Sequence, residues 1–87
     1  MINDLNDFYA YLRGVRERLV ASDGYEWARR LHDAELAGTT SSEILEDVWF
    51  VLKELEADPA SDRLMLRPGI SDALKYIDRT LGPSKSP

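Results

Sequence analysis

Residues 41–57 place Ile44, Leu45, Val48, Trp49, Val51, Leu52 and Leu55 at the three- and four-residue spacing of a helical face. At about 100° per residue the apolar stripe is roughly 160° wide. One helix cannot cover a stripe that broad, so the rest of the chain must supply several helices to pack on it. The order Thr40-Ser41-Ser42-Glu43 before the stripe is that of a capping box, with Thr40 as N-cap and Glu43 at the third helical position. Asp58-Pro59 closes the segment.

The flanking sequence repeats the helical period. Leu5, Phe8, Leu12, Val15 and Leu19 form a stripe that Ile2, Tyr9 and Val20 widen, and Ser22-Asp23-Gly24 interrupts it. Trp27, Leu31 and Ala34 form another, with Tyr25, His32 and Leu36 on the opposite side, so this helix is expected to touch neighbours on two faces. Asp23 and Glu26 resemble a second capping box, and Gly38 is the stop. Ile70, Leu74, Ile77 and Leu81 complete the set before Gly82-Pro83. The predicted fold is therefore all-α: a small bundle of about four helices, over roughly 4–21, 24–37, 41–57 and 69–81. Between the last two, a short helical turn near Ser61–Met65 is expected to lay Leu64 or Met65 on the core. Strand alternation and hairpin dipeptides between apolar runs are absent. With 87 residues the chain reads as one domain over 1–82 followed by a disordered tail at 83–87.

Composition narrows the function classes. The chain has no cysteine, which excludes a disulfide scaffold and a thiolate metal site. Its N-terminal residues lack the pattern of a signal peptide, and its longest apolar run, Val48–Leu52, is far short of a membrane span, so a cytoplasmic protein without membrane contact is expected. The formal net charge is −5, and it is unevenly spread. Residues 39–62 hold seven acidic residues against one basic, whereas residues 63–87 hold five basic against two acidic. This acidity argues against a nucleic-acid binder. Arg13, Arg16, Arg18, Arg29 and Arg30 form a local basic cluster, but the helix that would enter a groove carries Glu43, Glu46, Asp47, Glu54 and Glu56.

No catalytic motif is present. His32 is the single histidine, and its sequence neighbours Asp33 and Glu35 do not make a catalytic or metal-ligand pattern with it. Glu43 with Asp47, and Glu54 with Asp58, are spaced by four, which is the ordinary pattern of a solvated helix face. No enzyme, cofactor or metal is expected. Arg16 falls inside the first apolar stripe, where snorkelling or pairing with a carboxylate of another helix is the structural expectation.

One residue stands out as a binding candidate. Phe50 falls near 240° from Ile44, on the polar side of its helix, with Glu46, Asp47, Lys53 and Glu54 as helical neighbours. An aromatic ringed by charge has the composition of an interface anchor with a polar rim. The competing expectation is that Phe50 packs beneath the last helix or the 58–69 segment. The candidate partner-binding set is Phe50, Glu43, Glu46, Asp47 and Glu54, and the partner it suits is basic. The resulting expectation is a non-enzymatic protein-binding module, in the manner of small acidic bacterial regulators of the immunity or antitoxin type that neutralise basic toxins; this link is one of class analogy. The alternative is a structural or assembly protein that associates with itself through its helices.

Overall fold

The computed structural model describes residues 2–82, and among these there are helices and turns but no strand. Five helices follow in chain order: α1 (Leu5–Ala21), α2 (Tyr25–Ala37), α3 (Ser41–Ala57), α4 (Pro59–Arg63) and α5 (Arg67–Leu81). The chain is an all-α bundle, as its periodicity predicts. The tail expected at 83–87 lies outside the described residues.

α2 packs between α1 and α3, and α3 also packs against α4 and α5. The ring closes where Phe8 of α1 stacks on Tyr76 of α5, with centroids 5.4 Å apart. Phe8, Leu12, Leu19, Leu31, Leu45, Val48, Leu52, Leu55, Ile70 and Ile77 are fully buried at the centre. They are the stripe residues of all four long helices, so apolar burial is what selects the packing. α3 is central, but Trp49 does not lie in its sealed interior. It is half-buried and packs against the core from outside, whereas Leu45, Val48 and Leu52 of the same stripe are buried within it.

The connections explain where the predicted boundaries shift. α1 ends in a Schellman motif: the Gly24 amide donates to the Leu19 carbonyl, the Asp23 amide to that of Val20, and Asp23 takes the left-handed φ of 64°. Asp23 therefore terminates α1 and does not cap α2. The α2 N-cap is Gly24, with no side-chain cap, which corrects the second capping box. Gly38 between α2 and α3 is required by close approach, since a Cβ there would lie 2.7 Å from Glu43 Cβ. Thr40 caps α3 as expected, its side chain accepting from the Glu43 amide.

Asp58 ends α3 and at once starts α4, accepting from the Ala60 amide at 2.8 Å. Pro59 then occupies the first position of α4, where its missing N–H costs nothing. The short helix thus precedes the expected position, and α5 begins at Arg67. α4 ends in a second Schellman motif that puts Met65 at φ 57° and turns its side chain to solvent, 76% exposed. Leu66 is the residue the turn buries, while Leu64 packs on the core edge. The fully buried Ser61 hydroxyl lies 2.8 Å from the Asp58 carbonyl and accepts from Arg67 Nε, which ties α4 to the start of α5. Gly82, at φ 65°, stops α5.

Candidate partner-binding surface

α3 turns its apolar stripe inward, and this geometry holds the opposite side outward. Phe50 is 42% exposed. Its ring stands edge-on to Trp49, with centroids 5.1 Å apart and planes at 90°, so the half-buried indole braces it from the core side. Lys53 Nζ lies 5.7 Å from the Trp49 ring centroid and 3.7 Å from a Glu56 oxygen, closing one edge of this aromatic pair.

The carboxylates around Phe50 have different duties. Glu43 Oε1 accepts from the Thr39 hydroxyl at 2.9 Å and from the Thr39 amide at 3.3 Å, so it also holds the α2–α3 turn. Glu54 Oε1 pairs with Arg30 Nη2 of α2 at 2.9 Å, and the same guanidinium lies 4.7 Å from the Trp27 ring centroid. Glu46 lines a hollow with Thr80 and Leu81 of α5, whereas Asp47 lines another with Arg30 and Asp33 of α2. Glu46 and Asp47 make no ion pair among the described residues, and they flank Phe50 on its two sides. Asp58, spaced by four from Glu54, caps α4.

Arg16 has the structural partner its position demanded. Its Nε lies 3.3 Å from Glu35 Oε2 of α2, with both side chains at least three-quarters covered. The N–H is not aligned for a hydrogen bond, so this contact is an ion pair rather than a directed bond. Arg16 Nη1 donates to His32 Nδ1 at 2.8 Å; a guanidinium only donates, so Nδ1 must accept and the ring proton belongs on Nε2. His32 is thereby fixed as a strut between α1 and α2. Among the described residues there is no group of three or more histidine and acidic side chains that could hold a metal ion, and no helix is long and apolar enough to cross a membrane.

The periodicity did not anticipate a groove between α1 and α2. It has a volume of about 670 Å³ and is lined by Val20, Ala21, Tyr25 and Ala28, with Arg13, Glu17 and Arg29 among its other residues. Val20 is 45% exposed and so does not widen the buried stripe of α1. α2 does touch two neighbours, α1 and α3, and His32 on its second side meets Arg16 of α1, but Tyr25 and Leu36 on that side stay 59% and 69% exposed. The available signal was their position off the main stripe, which sequence alone reads equally well as a second packing face.

On the far flank of α1, the Tyr11 hydroxyl is buried with no hydrogen-bond partner among the described residues. Burial pushes its phenol pKa well up, with the nearby Asp72 carboxylate adding to the rise and Arg18 opposing it. Tyr9 is raised in the same sense, by burial first and then by Glu35. Arg18 reaches across to donate to the Leu64 carbonyl, which pins the α4–α5 turn to α1.

The chain matches no protein-family model, no curated protein and no solved structure.

Proposed function

We propose that this chain is a non-enzymatic protein-binding module that meets a basic partner with the Phe50 side of α3. The observation that supports the reading best is an aromatic ring 42% exposed and braced edge-on by Trp49, with the carboxylates of Glu46 and Asp47, which make no ion pair among the described residues, on either side. A rigid aromatic anchor loses little conformational freedom on binding, and its carboxylate rim steers a positive surface toward it. A small acidic module of this kind suits a bacterial regulator of the immunity or antitoxin type, acting in the cytoplasm by covering a basic surface of another protein.

The test is capture from the source cell with the parent protein and with Phe50→Ala as paired baits. A basic protein held by the parent and lost by the variant supports the reading. With that protein in hand, Phe50→Ala is expected to cost about 2 kcal/mol or more, chiefly in dissociation. Glu46→Gln with Asp47→Asn is expected to slow association and flatten its dependence on salt. Equal capture by both baits overturns the assignment to α3.

A further inference from the structure

We propose that the outward side of α1 joins two copies of this chain as an antiparallel pair about a two-fold axis near the middle of the helix. The inference rests on the two grooves that flank α1 and on charge complementarity, and it stands apart from the α3 reading.

Two hollows flank the outer surface of α1. One is the groove against α2, of about 670 Å³, into which Val20 and Tyr25 expose apolar surface. The other, of about 550 Å³, runs beside Ala10, Tyr11 and Gly14. Glu17 and Ala21 belong to the walls of both, so the ridge between the hollows is α1 itself.

The charges on this ridge are their own complement. Arg13 and Glu17 are exposed, four residues apart, and neither makes an ion pair among the described residues. In an antiparallel pair centred between them, a two-fold rotation brings Arg13 of one copy opposite Glu17 of the other, and repeats the contact reciprocally. The same rotation sets the α2-side groove of one copy, with its exposed Val20 and Tyr25, beside the α2-side groove of the other. An unrelated helix would have to reproduce both signs in reverse order, whereas a second copy supplies them by symmetry. Electrostatics also permits the approach: α1 carries Arg13, Arg16 and Arg18 against Asp7 and Glu17, and α2 separates it from the acidic α3.

Gly14 adds an independent argument for close approach. An interior glycine weakens a helix relative to alanine. Its φ is not positive, and a Cβ built there meets nothing within 4 Å, so the fold of one chain does not call for glycine at this position. A helix from a second copy lying over it does.

Sedimentation equilibrium of the full chain across a wide concentration range tests the proposal. The expected result is a mass that rises from that of one chain to that of two. Gly14→Leu is expected to weaken association about tenfold or more while the circular-dichroism melt shows an intact fold. Arg13→Glu and Glu17→Arg are each expected to weaken it about tenfold, and the double exchange to restore it. Phe50→Ala, which probes the α3 reading, leaves the mass unchanged. A single-chain mass at every concentration overturns the proposal. So does a dimer that the charge exchanges neither weaken nor rescue.

Discussion

Arg16 Nε on α1 lies 3.3 Å from Glu35 Oε2 on α2, and this ion pair, with His32 as a second acceptor for the guanidinium, joins the two helices at the edge of the core. Both side chains are largely withdrawn from water, so each depends on the other to offset its desolvation. Arg16→Ala leaves Glu35 without its counter-charge and is expected to cost about 2 kcal/mol in urea unfolding. Replacing the pair together, as Arg16→Met with Glu35→Leu, is expected to stay within about 1 kcal/mol of the parent, because no stranded charge remains. Equal losses in the single and double variants would show that packing by the Arg16 stem, and not charge, is what matters there.

Tyr11→Phe removes a buried hydroxyl that has no partner among the described residues, so at neutral pH it is expected to leave stability unchanged or raise it by about 1 kcal/mol. The pH dependence follows from the sign of the shift. The folded-state phenol pKa is raised, chiefly by burial, so the stability tied to its neutral form is fully present below the unfolded tyrosine value of about 10 and is lost as pH rises beyond it. Thermal melts from neutral to alkaline pH should therefore fall less steeply for Tyr11→Phe than for the parent.

Trp49→Ala and Leu52→Ala separate the edge of the core from its centre. Leu52 is sealed between helices, and its truncation is expected to cost about 3–4 kcal/mol, with a cavity left behind. Trp49 is half-buried, so its loss is expected to cost less, about 2 kcal/mol, since solvent can fill part of the space. Urea midpoints for the two variants check the order.

Met65→Gly is expected to stabilise the protein by about 1 kcal/mol. Met65 occupies the left-handed position of the Schellman motif after α4 and is 76% exposed, so glycine relieves the backbone without loss of packing. A lower melting temperature for this variant would show that the exposed thioether makes a contact that outweighs the backbone term.

The helical period of Leu5 to Leu19, of Ile44 to Leu55 and of Ile70 to Leu81 determined by itself that the chain forms long helices and which side of each is buried. That information is local, because apolar spacing and the Thr40 cap act within one helix turn of where they stand. The α3 surface that carries Phe50 was legible for the same reason: an angle around one helix separates it from the stripe. The tertiary structure alone decided what lies beside each side chain. It paired Arg16 with Glu35, gave Glu54 to Arg30, turned Asp23 from a cap of α2 into the end of α1, and left Val20, Tyr25 and Leu36 in solvent. These outcomes depend on which helices meet and at what height. Periodicity within a helix carries no record of that, because burying the same stripes against different neighbours yields nearly the same apolar free energy.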